Sequence, residues 1–266
     1  MRALSTYRRL VAANLTAELR HGPSALVGLV MSFGFQLTGL LFLWVVLDRS
    51  GGLGGWTKGE VTFLYGLRLL VRGLSLLVFG RLDGLPGLVH SGGFDRYLVR
   101  PLPPLLQVMA ARVSLNALGD VVGGVTIFLL GNTLVRFSWS PTDLAYLVLV
   151  ILGGCLLEPA LRLIVASLSF WFVGTGRLLF VVDDLFNSAG NYPLSIFDGA
   201  IQLVFTLAVP VALVASVPAT VLLARTPELG VQPLVAQAVP FAGLIWFVTA
   251  HRVWQRALRS YQSTGH

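Results

Sequence analysis

The sequence has unusually little charge for its length. Of its 266 residues only 12% are charged, whereas about a quarter of the residues of a typical soluble domain are charged. Hydrophobic residues make up 55% of the chain, and the mean hydropathy is +0.80. No long polar block is present that would form a soluble domain. The composition therefore predicts one integral membrane domain over residues 1–266, with short polar ends.

Lysine and cysteine are nearly absent, and each absence excludes a chemistry. The only lysine, Lys58, lies between Thr57 and Gly59, so the chain has no phosphate-binding loop of the form GxxxxGK followed by Ser or Thr. The only cysteine, Cys155, lies in an apolar run, which excludes an intrachain disulfide and a thiolate metal cluster. HExxH, GxSxG and metal-ligand histidine spacings are also missing from the sequence. We therefore expect no enzyme activity and no cofactor in this chain, and any nucleotide-driven step would use another subunit.

The net charge of +7 does not indicate nucleic-acid binding. Basic residues form no continuous stripe and no patch interleaved with aromatic residues. They lie between apolar segments instead, as do the charges that orient a membrane protein. A nucleic-acid partner is therefore not expected.

Six apolar segments are candidates for membrane-spanning helices, since about 20 helical residues cross a hydrocarbon core of about 30 Å. They are roughly 24–47, 61–80, 114–135, 144–163, 164–185 and 233–254, with a further apolar stretch at 201–223. Two arrangements with six spans fit this pattern. In the first, 144–185 forms two tightly connected helices, and 201–223 enters and leaves the membrane on one side. In the second, 144–173 is one long helix, and 201–223 crosses the membrane.

Charges and prolines favour the first arrangement. In the second, residues 174–200 would be cytoplasmic, although they contain three aspartates and only one basic residue, Arg177. Pro210 and Pro218 would each cost about 3 kcal/mol or more inside a continuous helix. A broken helical hairpin that enters from the outer face and is covered by protein or by a water-filled cavity fits both observations. A spanning helix with two proline kinks is the alternative.

The leader, residues 1–23, is predicted to form an interfacial helix. Apolar residues recur in it at helical spacing, namely Leu4, Tyr7, Leu10, Val11, Leu15 and Leu19. Arg8 and Arg9 lie on the opposite face, and Gly22 and Pro23 end the helix. A helix of this kind lies among the lipid headgroups.

Arginines predict which segments are cytoplasmic, because cytoplasmic loops of membrane proteins carry an excess of Lys and Arg. The arginines concerned are Arg2, Arg8, Arg9 and Arg20 in the leader, Arg81, Arg96, Arg100 and Arg112 after the second span, and Arg252, Arg256 and Arg259 in the tail. Both termini and the loop after the second span are therefore predicted to be cytoplasmic. Asn191 is predicted to lie on the outer side.

Glycines predict two places of close helix packing. Gly66, Gly73 and Gly80 recur every seven residues in the second span and would line one face of that helix. Gly119 and Gly123 form a GxxxG pattern in the third span. Both patterns predict helix contacts and carry no information about a substrate.

Five charged residues in the second, third and fourth predicted spans are the candidate site residues, since a charge in a span is costly unless it faces a partner, a cavity or an interface. Arg68 and Arg72 are one helical turn apart and share a face of the second span, and Asp120 lies in the third. Glu158 and Arg162 have the i,i+4 spacing of a helical ion pair. One interpretation is structural: Glu158 pairs with Arg162, and Asp120 pairs with Arg68 or Arg72. In the other, these residues line a polar route for an amphipathic substrate.

The longest predicted cytoplasmic loop, 81–108, contains a segment suited to contact a partner. Two short amphipathic pieces are predicted around a Gly-Gly pair, and prolines end the second piece. Phe94, Tyr97 and Leu98 would project beside charged residues, as in a helix that lies in the groove of a soluble protein. The candidate docking residues are Gly92, Gly93, Phe94, Asp95, Arg96, Tyr97, Leu98, Arg100 and Pro101. A solvated turn without a partner is the alternative.

Three stretches of the sequence resemble the ABC-2 type transporter permease family, in a branch formerly catalogued as a domain of unknown function. The stretches are GGFDRYLVRPLP after the second span, NYPLSIFDGAIQLVFTLAVPVALVASVPATVLL near the end, and VWQRALRSYQSTG at the C-terminus. The resemblance covers nearly the whole chain. One departure is the pair Asp183-Asp184, which lies deeper in the fifth predicted span than is usual in that branch and leaves the boundary of that span open.

The resemblance implies an all-α polytopic membrane protein with six transmembrane helices. It implies an N-terminal elbow helix at residues 4–19 and a coupling helix at 92–101 that docks onto a separate ATPase. It also implies a re-entrant helical hairpin on the outer side between spans five and six, at 192–223. The residues of interest in that hairpin are Tyr192, Pro193, Pro210 and Pro218.

The expected function is that of the membrane subunit of an ATP-driven exporter in the bacterial plasma membrane. The resemblance implies two permease chains, identical or paralogous, and two ABC ATPase subunits that carry the ATP and Mg²⁺. An amphipathic drug, an antibiotic or a lipid-like molecule is the expected substrate class. The alternatives are an importer or passive channel without an ATPase, and a membrane scaffold without transport activity.

Overall fold

A computed structural model describes residues 2–19, 23–80, 82–111, 116–225 and 233–262. Over these residues the chain is helical and contains no β-strand. The helices are α1 (Arg2–Leu19), α2 (Pro23–Ser50), α3 (Lys58–Phe79), α4 (Leu85–His90), α5 (Asp95–Leu98), α6 (Pro104–Ala110), α7 (Asn116–Val135), α8 (Pro141–Ser167), α9 (Gly176–Asn187), α10 (Gly199–Leu203), α11 (Ser216–Leu222) and α12 (Pro233–Ser260). Gly22, Arg20, Arg81 and Arg112, used above to predict the end of the leader helix and the orientation, lie outside the described residues.

Four of these helices are long and apolar enough to cross a membrane. The apolar segments are Leu26–Ser50, Lys58–Phe79, Asn116–Val135 and Pro141–Phe170. Helix α12 is also long, at 28 residues, but its last turns carry basic residues, whereas α9 has only 12 residues. The chain is therefore an all-α, multi-pass membrane protein.

Each of the two six-span arrangements is partly correct about the helix boundaries. Helix α8 is a single helix of 27 residues that a 3-10 turn extends to Phe170, as the second arrangement expected. The predicted fifth span, 164–185, is wrong as a helix, because its first residues belong to α8 and a turn containing Gly174 (φ 84°) separates them from α9. The segment 201–223 is broken, as the first arrangement expected.

Paired polar residues fix where α3 and α8 begin. Thr57 Oγ1 accepts a hydrogen bond from the Glu60 backbone N–H at 3.4 Å, and the Thr57 backbone N–H donates to the Glu60 carboxylate at 2.7 Å. Ser140 and Asp143 form the same reciprocal cap ahead of α8. These caps satisfy N–H groups that have no partner inside the helix, so they define the first turn.

Glycines allow α3 and α7 to pack backbone against backbone. A Cβ atom added at Gly73 would lie 2.6 Å from the backbone nitrogen of Val121, and one at Gly66 would overlap the backbone of Phe128. Helix α7 contributes Gly124 and Gly131 to the same antiparallel contact. The predicted close approach is thus confirmed for Gly66 and Gly73, whereas Gly80 ends α3 with a φ of 65°.

The GxxxG glycines of α7 pack against α2 instead. A Cβ atom at Gly119 would lie 2.7 Å from the carbonyl oxygen of Leu29, and one at Gly123 would lie 3.3 Å from Cγ of Gln36. Small residues allow helices to approach closely in the membrane, where burial of apolar surface provides no driving force. Helix α7 therefore lies between α2 and α3, which confirms the packing role predicted for this pair.

Helices α8 and α12 run side by side in the same direction. Gly153 of α8 meets Pro240 and Gly243 of α12, again with little more than backbone between them. Pro240 cannot donate to the carbonyl oxygen of Ala236, four residues earlier, and Tyr146 Oη of α8 donates to that oxygen at 3.0 Å. A neighbouring helix thus supplies the bond that the proline removes.

The short helices lie at two opposite ends of this bundle. Helix α1 contacts α6, and Asn14 Nδ2 donates to the carbonyl oxygen of Ala110 at 2.6 Å. Half-buried Tyr7, Leu10 and Leu15 and exposed Arg8 agree with the predicted amphipathic pattern of α1. We call the end that holds α1 and α4–α6 the α4–α6 end.

The other end holds α10, α11 and the loop between α2 and α3. Arg225 donates to the Glu60 carboxylate at 2.7 Å, and Ser195 Oγ donates to the carbonyl oxygen of Gly54 at 3.0 Å. These contacts tie the segment after α9 to the start of α3. We call it the α10–α11 end.

Candidate functional site

A closed cluster of charges lies in the middle of the helix bundle. Arg68 Nη1 of α3 is 3.1 Å from Glu158 Oε2 of α8, and the two side chains are 1% and 0% exposed. Arg162 Nη2, one turn further along α8, is 2.8 Å from Oε1 of the same carboxylate. Arg162 Nε donates to Asp183 of α9 at 2.6 Å. Two arginines therefore share one buried carboxylate, and the cluster joins α3, α8 and α9.

Arg72 and Asp120 form a second, more open pair between α3 and α7. Arg72 Nε is 3.8 Å from Asp120 Oδ2, which is beyond hydrogen-bond distance, and the two side chains are 22% and 9% exposed. Two residues of α2 donate to Asp120 Oδ1, Ser32 Oγ at 2.6 Å and Gln36 Nε2 at 2.7 Å. Arg72 Nη1 donates to Asn187 of α9. The Arg72 Nε atom is buried and has no hydrogen-bond partner in the described part of the chain.

Both predicted charge pairs are therefore present, and the structure shows which arginine lies beside Asp120. The i,i+4 pair of Glu158 and Arg162 is confirmed. Asp120 lies beside Arg72 rather than Arg68, because the close contact at Gly73 brings the Asp120 backbone against that turn of α3. Arg68, one turn away, faces α8 instead.

Two cavities adjoin Arg72. The smaller, of about 120 Å³, is lined by Arg72, Leu76, Leu82, Asp83, Arg162, Leu179 and Asp183. The larger, of about 350 Å³, is lined by Gly28, Met31, Ser32, Phe35, Gln36, Arg72, Leu76, Asn116, Ala117 and Asp120. Arg72 and Leu76 separate the two cavities, whereas Arg68 and Glu158 line neither. Of the five charged residues, Arg68 and Glu158 are thus sealed, whereas Arg72, Asp120 and Arg162 border open volume.

The candidate docking segment is held by an aromatic cluster at the α4–α6 end. Phe94 is 0% exposed, and its ring lies edge-to-face against Phe170 at 5.2 Å, Tyr261 at 5.3 Å and Trp254 at 6.0 Å between ring centroids. Tyr261 Oη donates to Asp95 Oδ1 at 2.8 Å. Burial and the bond to Asp95 raise the pKa of Tyr261 to about 12, so its hydroxyl keeps the proton that it donates.

The prediction that Phe94 and Tyr97 project into a groove of a partner is wrong. Both side chains are buried inside this chain, at 0% and 6% exposure. Tyr97 packs on Phe94, and its carbonyl oxygen accepts from Gln107 Nε2 at 3.0 Å. Residues more than 70 positions away, on α12 and just after α8, provide the pocket for Phe94, so the sequence of the loop gives no sign of it.

The exposed surface of the candidate docking segment is formed mainly by its last residues, 98–101. Val99 is 83% exposed and Leu98 is 42% exposed. The other exposed members are Arg96, Arg100 and Pro101. We call Arg96 and residues 98–101 the exposed tip. The turn that precedes it requires a positive φ at Gly92 (φ 70°), whereas Gly93 has no such requirement.

The segment 192–223 is irregular and buried at its centre. A π-helical turn, Val204–Ala208, follows α10 and ends ahead of Pro210. Residues 210–215 are buried without forming a regular helix. A Cβ atom at Gly190 would lie 3.1 Å from both Arg68 Nε and a methyl group of Val211, so this backbone lies at the level of Arg68. Irregular backbone at such depth in a membrane protein is stable only when protein or water covers it.

The remaining residues predicted in this segment have packing positions. Pro193 is buried, and Tyr192 packs against the main apolar core. Pro218 lies in the first turn of α11, where its missing N–H needs no helical partner. The backbone N–H of Leu194 donates to Ser216 Oγ at 2.8 Å and connects the two sides of the segment.

Several residues of the charged region were not predicted as site residues. Asp183 and Asn187 reach Arg162 and Arg72 because α9 folds back along the bundle. The sequence contains a signal that Asp183 faces the bundle. Leu179, Val182 and Phe186, which are buried, have helical spacing, and Asp183 lies on the same face of the helix. Ser32 and Gln36 of α2 lie in an apolar run, and their spacing from each other could have marked them as partners of a buried carboxylate.

These features define a class of protein. A bundle of apolar helices with a charged interior and cavities beside it is typical of a membrane transport component. The chain belongs to the ABC-2 transporter family: the model for ABC-2 family transporter proteins matches residues 33–265. Proteins of this family are membrane components of transporters and generally act with an ABC ATPase. No curated protein and no solved structure matches the chain significantly.

Proposed function

We propose that this chain is the membrane-spanning subunit of an ATP-driven exporter and acts with a separate ABC ATPase. The observation that carries the proposal is the exposed tip, where Leu98, Val99 and Arg100 project from a segment that buried aromatic side chains hold firmly. An exposed apolar pair beside basic residues is a surface that a soluble partner would cover. ATP and Mg²⁺ would bind the ATPase and not this chain.

In the proposed topology the α4–α6 end and both termini are cytoplasmic. Helix α1 is the interfacial elbow helix, α9 with the residues after it is the fifth span, and α12 is the sixth. Residues 192–223 form a re-entrant region that enters from the outer face, and the buried irregular backbone at 210–215 supports this. Two permease chains, identical or paralogous, would carry two ATPase subunits.

The proposed mechanism links the ATPase to the spans through Phe94. When ATP closes the ATPases, the exposed tip moves with them. Phe94 packs on Phe170, which follows α8, and on Trp254 of α12, so a shift of the tip is passed to these two parallel helices. Their movement relative to α3 changes access to the cavities beside Arg72. An amphipathic drug, an antibiotic or a lipid-like molecule is the proposed substrate class.

Pull-down of a candidate ABC ATPase by the purified permease tests the docking role. Leu98→Asp combined with Val99→Asp places two charges in the proposed contact, and we expect ATPase binding to fall at least about tenfold, because truncation of apolar interface anchors commonly costs 2 kcal/mol or more. Yield and elution volume of the permease should not change, since both side chains are exposed. Ile196→Asp, at a 37% exposed apolar residue of the α10–α11 end, is the matched control.

Transport measurements separate this function from its alternatives. Vesicles with the permease and the ATPase should accumulate an amphipathic dye only when ATP is outside, on the ATPase side. Equal movement of the dye without the ATPase would contradict the exporter and indicate a passive channel.

Unchanged ATPase binding in the Leu98, Val99 double variant would refute the docking surface.

The topology has its own test. In a background with Cys155→Ala, a cysteine introduced at Asp198, an exposed residue directly before α10, should react with a membrane-impermeant reagent added from outside the cell. A cysteine at Val99 should react only after the membrane is opened. Labelling of position 198 from the cytoplasm alone would rule out the re-entrant arrangement.

A further inference from the structure

We propose that the 350 Å³ cavity between α2, α3 and α7 binds the headgroup of a zwitterionic, lipid-like amphipath, with its acidic group on Arg72 and its cationic group on Asp120. This inference rests on the proposed function and names the substrate class. Arg68, Glu158 and Arg162, which the sequence placed on the same polar route, are not part of this site.

The entrance of the cavity faces the side of the bundle. Met31 and Phe35 of α2 line it and are 70% and 76% exposed. Only 17% of the apolar window of α2 is buried inside the chain, so this helix faces lipid or another apolar surface. A molecule that lies in the membrane can therefore place its polar end in the cavity while its acyl chain stays along α2. The cavity adjoins the first turn of α7, at Asn116, and thus lies toward the α4–α6 end.

The interior of the cavity is polar and carries both signs of charge. Arg72 and Asp120 are its two charged residues, and Ser32, Gln36 and Asn116 add hydrogen-bonding groups. The charges cancel, so a ligand with net charge would leave one charge unmatched in a site of low dielectric constant. A zwitterion adds one charge of each sign and keeps the balance.

The geometry of the pair leaves room for such a ligand. Arg72 Nε and Asp120 Oδ2 are 3.8 Å apart and not hydrogen-bonded, although Arg72 Nε is buried and without a partner in the part of the chain described. The donors of α2, Ser32 and Gln36, reach Asp120 Oδ1 and not Oδ2. By contrast, the Glu158 carboxylate has contacts of 2.8 and 3.1 Å to two arginines, and neither Glu158 nor Arg68 lines a cavity. An acidic group on the accessible part of the Arg72 guanidinium, whose side chain is 22% exposed, and a cationic group near Asp120 Oδ2 would complete the open pair.

Binding to the purified permease without any ATPase tests the proposal. The probes are three fluorescent amphipaths of equal chain length that carry a phosphocholine, a phosphoglycerol or a trimethylammonium headgroup. The wild-type protein should bind the phosphocholine probe about ten- to a hundredfold more tightly than the other two, because each of those lacks one of the two ion-pair contacts, with Asp120 or with Arg72. Equal affinity for all three would overturn the proposal.

Charge variants give a reciprocal signature. Arg72→Gln leaves Asp120 unmatched and should shift the preference to the trimethylammonium probe, whereas Asp120→Asn should shift it to the phosphoglycerol probe. The variant that combines Arg72→Gln with Asp120→Asn should bind all three probes with similar affinity. Lys58→Gln, in an exposed pair at the other end of α3, is the control and should bind as the wild type does. The same order of probes in every variant would refute the assignment.

A variant at the entrance keeps the test valid if a charge variant fails to fold. Met31→Trp adds bulk at an exposed position and should weaken binding of all three probes while the phosphocholine probe still binds best. Unchanged binding in this variant would place the headgroup elsewhere. Because no ATPase is present, failure here leaves the docking result standing, and loss of ATPase docking leaves this result standing.

Discussion

The two groups of charges inside this protein are one helical turn apart, yet they have different environments. Around Glu158, two arginines share one carboxylate at 2.8 and 3.1 Å and no cavity reaches Arg68 or Glu158. Around Asp120, the cation is 3.8 Å away, and open volume lies on both sides of it. A buried charge is tolerated when it is paired at close range, whereas a loosely paired charge beside a cavity stays accessible. Charges inside one membrane domain can therefore differ in access although they lie one helical turn apart.

The largest expected effect is that of Glu158→Gln. This change leaves Arg68 and Arg162 close together without their shared carboxylate, and breaking a buried pair costs about 3–5 kcal/mol. Denaturant titration in detergent micelles should show a loss of that size in the free energy of unfolding. Asp48→Asn, at a 65% exposed carboxylate, is the control and should change little. A loss below about 1 kcal/mol would mean that the cluster is hydrated and not closed.

Asp183→Asn should have a smaller effect. Asp183 is 35% exposed and lines the smaller cavity, so water can replace part of its contact with Arg162. Arg162 also keeps Glu158 as a partner. The free energy of unfolding should fall by about 1 kcal/mol, the usual value of one hydrogen bond, in the same titration. A loss as large as that of Glu158→Gln would mean that water does not replace the contact of Asp183 with Arg162.

Arg72→Gln should destabilise the protein less still, by about 0–1 kcal/mol, because the pair is not hydrogen-bonded and its cation is partly exposed. The donors Ser32 and Gln36 continue to hold Asp120. Thermal unfolding by intrinsic fluorescence, beside Glu158→Gln in the same buffer, gives the comparison directly. If the two variants lost equal stability, the distinction between closed and open pairs would not hold.

Replacing the closed cluster as a whole should have the smallest net effect. Arg68→Met, Glu158→Met and Arg162→Met together remove the charges with their desolvation cost, and such exchanges are often neutral or stabilising. The triple variant should unfold within about 1 kcal/mol of the wild type. Exchanging only Glu158 and Arg162 should not rescue folding, because Arg68 would stay buried and unpaired. Loss of ATPase-coupled export in a stable triple variant would show that the cluster also has a functional role.

The aromatic residues of the loop after α3 show what sequence reasoning missed. Phe94 and Tyr97 have the pattern of exposed anchors on a short helix, and within the loop no residue contradicts that interpretation. Their burial depends on Phe170, Trp254 and Tyr261, which arrive from the far ends of α8 and α12. Local patterns report the faces of a helix but not which distant residues cover them. The candidate docking surface therefore consists of the aliphatic side chains of Leu98 and Val99 and not of the aromatic side chains of Phe94 and Tyr97.

The boundaries between residues 144 and 223 show the same limit. Hydropathy located every apolar segment, and the prolines correctly indicated that 201–223 is broken. Hydropathy could not locate the turn that ends α8, because Trp171, Phe172 and Val173 at that turn are as apolar as the helix before them. Only the return of α9 along the bundle explains why Asp183 and Asn187 lie at depth: they face arginines of α8 and α3.

Composition alone indicates a helical membrane protein, and the sequence contains no GxxxxGK motif followed by Ser or Thr; neither observation depends on how the helices pack. The sequence also determined the i,i+4 pair of Glu158 and Arg162, since one helix sets that distance. The packing of the helices determines that Arg68 joins this pair while Arg72 faces Asp120. The physical reason is that glycine contacts between α3 and α7 set the rotation of α3, and a turn of 100° per residue decides which neighbour each arginine meets.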